Sequence, residues 1–201
     1  GVATLAGTRS QISTRHFGLH LIRNIGHFAG QNFWFFAITA VPLAQVFALE
    51  FTAPLWATLL AIFILGERIT GFRAATLLVG FVGILIVTRP WIEPLGWGVA
   101  AGALAAVGFA VSAVFTRLLS RSVSITTILF WLTMMQAAFG VLTAGIDGDI
   151  AWPSTAMWPW VALVAVAGLV AHFCLTRALS LAPAAVVMPV DFARLPVIAL
   201  I

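Results

Sequence analysis

The 201-residue chain has no lysine and only six acidic residues, and charged residues of every kind make up 8% of it. Soluble domains carry roughly a quarter charged residues, so a soluble protein of this composition would lack the means to cover its core. A single cysteine, Cys174, lies inside an apolar segment, which excludes a disulfide framework and leaves the redox compartment open. Neither H-E-x-x-H nor G-x-S-x-G occurs, so the sequence shows no catalytic constellation, and no metal site or cofactor is expected. The formal net charge of +4 comes from ten arginines. In a soluble protein this balance would raise the question of nucleic acid. Here the arginines stand singly at the ends of apolar spans, as membrane topology demands, and a nucleic-acid partner is not expected.

What the chain does have is apolar length: 62% hydrophobic residues and a mean hydropathy of +1.12. The stretch from Pro42 to Leu65 holds one charge, Glu50, and meets a polar hairpin at Gly66, Glu67 and Arg68. At 1.5 Å per residue such a helix crosses a hydrocarbon core of roughly 30 Å, so we read it as one membrane helix. An ionised carboxylate near its middle costs about 2.5–3.5 kcal/mol on insertion scales and should face protein, water or ligand. Glu50 is therefore the first candidate for substrate or proton handling; its structural alternative is a carboxyl kept protonated by burial.

Further spans read as Phe17 to Thr39, Phe72 to Thr88, Leu95 to Thr116, Ser124 to Gly145, Met157 to about Thr176, and Pro183 onward, giving seven complete or nearly complete spans. Residues 1 to 6 read as the end of a helix, followed by a basic loop from Gly7 to His16. In Phe17 to Thr39 the residues Arg23, His27 and Gln31 recur every four and share a helical stripe, with Asn24 at its edge. His27 and Gln31 are expected to line a cavity. Arg23, nearer the cytoplasmic end, is expected to snorkel outward. Gly26 and Gly30, and likewise Gly98, Gly102 and Ala106, are spaced to let neighbouring backbones approach.

Taking alternate loops, one side receives Arg9, Arg15, Arg68, Arg73, Arg117, Arg121 and Arg177, and the other receives Arg89 with Glu93, Asp147 and Asp149. The positive side is cytoplasmic, which puts the loop at 146 to 156 outside. Trp91, Trp97, Trp152, Trp158 and Trp160 fall at the external interface.

A shift of 141 positions lays residues 37 to 51 on residues 178 to 192, matching Pro42 with Pro183, Glu50 with Asp191 and Phe51 with Phe192. His172 falls on Gln31 under the same shift, which raises it above a lone histidine. The two copies enter the membrane from opposite sides, so the repeat is inverted, and inverted repeats with proline-interrupted helices carry their substrate site at the repeat interface. Asp191 and Arg194 lie three apart on one face and form either a structural ion pair or part of a site. Glu67, in the hairpin, reads as solvated or helix-capping.

The run ALEFTAPLWATLLAIFILGERITGFRAATLLVGFVGILIVTRP resembles the EamA-type repeat of the drug/metabolite transporter superfamily in its threonine-proline motif, glycine-glutamate hairpin and glycine-rich following helix. From Leu95 onward the chain looks like a second copy. The resemblance implies an all-α polytopic membrane bundle of ten helices in two inverted five-helix repeats, here 1–90 and 95–201, without the first helix, most of the second, and the tenth. The second copy departs from the pattern with Leu195 in place of Pro54 and Pro196 one place later. Members of the family carry amino acids, S-adenosylmethionine, riboflavin or other small metabolites, and nothing in the residues selects among them.

The expected function is thus a secondary transporter of a small polar metabolite in the bacterial inner membrane, proton-coupled through Glu50. Its partners are a small-molecule substrate, the lipid bilayer and, in a homodimer, a second copy. The competing reading is a lipid-handling protein of the same fold, followed by an intramembrane enzyme.

Overall fold

A computed structural model describes residues 9–67, 70–88, 96–146, 148 and 152–190. Every regular element among them is helical. A 3₁₀ turn at Arg9–Gln11 precedes α1 (Phe17–Ala40), α2 (Leu43–Glu50), α3 (Ala53–Leu65), α4 (Gly71–Thr88), α5 (Trp97–Ser120) and α6 (Ile125–Ala144). A second 3₁₀ turn, Thr155–Met157, leads into α7 (Trp158–Leu181) and α8 (Ala184–Val190). Four stretches among the described residues are long and apolar enough to cross a membrane: Leu43–Leu65, Trp97–Ser120, Ile125–Ala144 and Thr155–Leu181. The 24-residue α1 falls within the same range of length but carries the polar stripe.

The stretch from Pro42 to Leu65, expected to be a single helix, is two. Pro54 has no N–H, and its ring crowds the carbonyl four residues back, that of Glu50. The ladder tightens there: Thr52 N–H donates to the Leu49 carbonyl three residues back at 2.9 Å, and α3 starts with Pro54 in its first turn. Glu50 therefore ends a helix instead of sitting inside one. At the far end of α3, Gly66 adopts φ 67°. This left-handed turn lets the Glu67 N–H reach the Ala61 carbonyl at 3.2 Å and close the helix.

Between helices in lipid the hydrophobic effect offers no net drive, so close backbone packing has to supply it. α5 presents a face of small residues, with Ala101, Ala105, Ala106, Ala110 and Ala113 buried, and packs against α1, α2 and α3. At its crossing with α1, a Cβ on Gly108 would lie 2.6 Å from the Gly26 carbonyl oxygen and 2.8 Å from Gly30 Cα. Gly98 and Gly102 are as closely covered, by Ala40 with Val41 and by Leu49. The glycine spacings in α1 and α5 thus mark the seam of the bundle. Deeper in, Ala57, Ala61, Ala110, Val114, Leu179 and Ala184 form a core that joins α3, α5, α7 and α8. Arg117 Nη1 donates to the Leu179 carbonyl at 2.7 Å and ties α5 to the end of α7.

The outer face is apolar as well. Val164, Val166 and Val170 on α7, with Val141 and Leu142 on α6, are more than half exposed. That would be an aggregation surface in water and is ordinary where the solvent is lipid.

Candidate functional site

The polar stripe of α1 faces inward, and the break between α2 and α3 opens toward it. Between them lies a cavity of about 260 Å³ whose wall includes Arg23 and His27 from α1 and Glu50, Phe51 and Pro54 from the break. α5 contributes Phe109, Ser112 and Thr116, α7 contributes His172, Leu175 and Thr176, and α8 contributes Met188. Most of this wall is apolar or aromatic, with a few polar groups converging on it, which is the usual make-up of a small-molecule site.

Arg23 is 2% exposed, which corrects the snorkelling expectation. Its charge stays inside because acceptors meet it there. Nε donates to Thr116 Oγ1 at 3.1 Å and Nη1 to Asn24 Oδ1 at 2.9 Å. Both acceptors are themselves oriented. The Thr116 hydroxyl donates to the Ser112 carbonyl at 2.7 Å, leaving its lone pairs for the arginine. Asn24 Nδ2 donates to the His20 carbonyl at 2.8 Å, which fixes the amide with its oxygen toward Arg23.

Glu50 is held from the other side. Trp34 lies three turns, about 16 Å of helix rise, beyond Arg23 on α1, and its indole Nε1 donates to Glu50 Oε2 at 2.8 Å. His27 and His172 meet edge to face, with ring centroids 4.8 Å apart, and Phe109 stands 5.8 Å from His27.

Of the residues singled out from sequence, the structure brings Glu50, His27 and His172 to one cavity, together with Arg23. Asn24 stands behind the wall, as the support of Arg23 and as a partner of α6, where Gln136 Nε2 donates to its carbonyl at 3.0 Å. Gln31 is half-buried and is not part of the wall. Asp191 and Arg194 lie outside the described residues, as do Arg68, Arg89, Glu93, Asp147 and Asp149. Among the described residues no three metal-ligating side chains cluster.

Sequence reasoning did not single out Trp34, Thr116 or Ser112. The signal for Trp34 was available: an indole N–H inside a membrane helix needs an acceptor, and Glu50 is the acid nearest in sequence. Thr116 gave none, because a threonine in a membrane helix can satisfy its hydroxyl on its own backbone.

Comparison with known proteins places these features in a family context. The model of the EamA-like transporter family matches the chain twice, over residues 2–89 and 96–201. A riboflavin transporter of Brucella anthropi is 33% identical over 195 residues, which cover 95% of this chain and 68% of that protein. A riboflavin transporter of Rhizobium johnstonii is 34% identical over 183 residues, 88% of this chain and 58% of that protein. An S-adenosylmethionine uptake transporter of Rickettsia bellii is 26% identical over 136 residues, 68% of this chain and 47% of that protein. No solved structure matches.

Proposed function

Because the chain belongs to the EamA-like transporter family and is an integral protein of the bacterial inner membrane, not an enzyme, we propose that it carries a small polar metabolite of the riboflavin class by alternating access. The observation that carries this reading is the composition of the cavity wall. Arg23, His27 and Glu50 come from the first family match, and Phe109, Thr116 and His172 from the second. A site shared by two halves changes its exposure when one half rocks against the other. The two halves are taken as inverted repeats, 1–90 and 95–201.

The wall and the relatives support this substrate class. Among the described residues the cavity wall carries one arginine and one carboxylate, which balance in charge and suit a neutral or zwitterionic solute. Phe51, Phe109, Leu175 and Met188 suit a flat apolar body. Riboflavin combines an uncharged ring system with a hydroxylated chain, and two relatives at 33% and 34% identity bear its name.

Glu50 is the proposed coupling group. Taking up a proton would neutralise it where the helix breaks, and releasing the proton on the other side would reset the cycle. Asp191, its counterpart under the 141-residue shift, is the proposed second acid of the site. The test is riboflavin uptake into proteoliposomes against an imposed pH gradient. Glu50→Gln should lose gradient-driven uptake and keep part of the exchange activity. An unchanged dependence on the gradient would reduce Glu50 to a structural acid, and wild-type protein that moved no riboflavin in either mode would refute the substrate class.

A further inference from the structure

Two N–H groups of Arg23 are taken by Thr116 and Asn24, and these hold the guanidinium from α5 and α1 at once. Nη2 finds no acceptor among the described residues and is not closed off from the cavity that the arginine lines. Arginine keeps its charge at any physiological pH, and its planar fork matches paired oxygen acceptors. A cation 2% exposed inside a membrane bundle, already clamped on two sides, is therefore a preorganised donor awaiting an acceptor. Glu50, fixed by Trp34, stands farther along the same cavity. The ligand that fits has carbonyl acceptors at one edge and hydroxyl donors elsewhere.

We propose that Arg23 is the specificity-determining group of the site, with Nη2 donating to a ring carbonyl on the dioxopyrimidine edge of a flavin while the ribityl hydroxyls donate towards Glu50. This assignment rests on the riboflavin reading. It gives Asn24 and Thr116 a positioning role: they aim the fork and do not touch the ligand. It also separates the two ends of the ligand into two independent recognition problems.

The experiment crosses protein variants with ligands. Initial uptake of riboflavin and of lumiflavin, which keeps the dioxopyrimidine edge and lacks the ribityl chain, is measured for wild type, Arg23→Lys, Arg23→Gln and Glu50→Gln in proteoliposomes, with thermal stability as the check on folding. Losing a hydrogen bond to a charged donor corresponds to about a 10- to 100-fold rise in KM. Arg23→Gln should show it for both ligands and by a similar factor, with Arg23→Lys in between because a point charge keeps the attraction and loses the fork. Glu50→Gln, assayed by exchange because its gradient-driven uptake is expected to be lost, should raise KM for riboflavin by a larger factor than KM for lumiflavin. Wild-type protein should also bind 4-thioriboflavin more weakly than riboflavin, since sulfur is the poorer acceptor; this measurement needs no variant to fold. A folded Arg23→Gln or Arg23→Lys protein with wild-type KM for both ligands, or equal wild-type affinity for riboflavin and its 4-thio analogue, overturns the assignment while leaving the transporter reading in place. Wild-type protein that handles neither flavin overturns the substrate reading and the assignment with it.

Discussion

Replacing Gly108 by alanine tests the contact on which the cavity rests. The added methyl would stand 2.6 Å from the Gly26 carbonyl oxygen, 2.8 Å from Gly30 Cα and 2.9 Å from Gly30 N. All three are backbone atoms of α1, so no side chain can turn away and the helices must part. Bringing the shortest approach out to ordinary contact at 3.4 Å separates them by about 0.8 Å. The bond from Arg23 Nε to Thr116 Oγ1 bridges the same two helices at 3.1 Å. Stretched by that amount it would reach about 3.9 Å, outside hydrogen-bond range. Overpacking costs about 1–3 kcal/mol, and the lost charge-assisted bond about 1.5–3 kcal/mol. One displacement causes both losses, so they overlap, and a total of about 2–4 kcal/mol is expected. For a chain of this size that corresponds to a fall in Tm of about 4–16 °C, measured by a thermal ramp on detergent-solubilised protein with size-exclusion readout. Gly140→Ala and Gly168→Ala are the controls. Nothing lies within 4 Å of a Cβ at either position, and alanine is the better helix former by about 1 kcal/mol, so both should hold or raise Tm. Gly108→Ala melting with the wild type, or all three variants falling together, would refute the packing argument.

Two further outcomes are expected, one from the geometry of the site and one from the distribution of the arginines. Trp34→Phe keeps an aromatic ring, though a smaller one, and removes the N–H that holds Glu50 at 2.8 Å; it should cost about 1.5–3 kcal/mol and raise the riboflavin KM, and no change in either Tm or KM would remove the tryptophan from the site. In a Cys174→Ala background, a cysteine replacing Asp149 should react with an impermeant thiol reagent added outside intact cells while one replacing Ser122 should not, and the opposite labelling would invert the topology.

The sequence made some of this legible and hid the rest for identifiable reasons. The inward stripe of Arg23 and His27 was readable because polar residues at four-residue spacing stand out in an apolar helix, and the glycine spacings marked the α1–α5 seam. Gln31 sits on the same stripe yet lies outside the cavity wall, because a stripe fixes direction and not depth. The break after Glu50 was harder to read. An unbroken apolar run gives no periodic signal at its interruption; Pro54 was the one marker, and the hydrogen bond from Thr52 to Leu49 places the break. The burial of Arg23 was misjudged because its acceptor Thr116 is 93 positions away, and pairings across that distance leave no local trace.

The separation between Arg23 and Thr116 also has a meaning in time. A ribosome working at roughly 5–20 residues per second needs about 5–20 s to add the intervening chain. Throughout that interval Arg23 has been made and its α5 acceptor has not. An arginine at the centre of a lone helix costs about 2.5–3.5 kcal/mol to insert; Arg23, in the second turn of α1, carries part of that cost, so α1 is expected to linger at the translocation channel until α5 arrives. Asn24, one residue along, is the acceptor already present. It serves the nascent helix before it serves the finished cavity, and a variant lacking it should fail in biogenesis before it fails in transport.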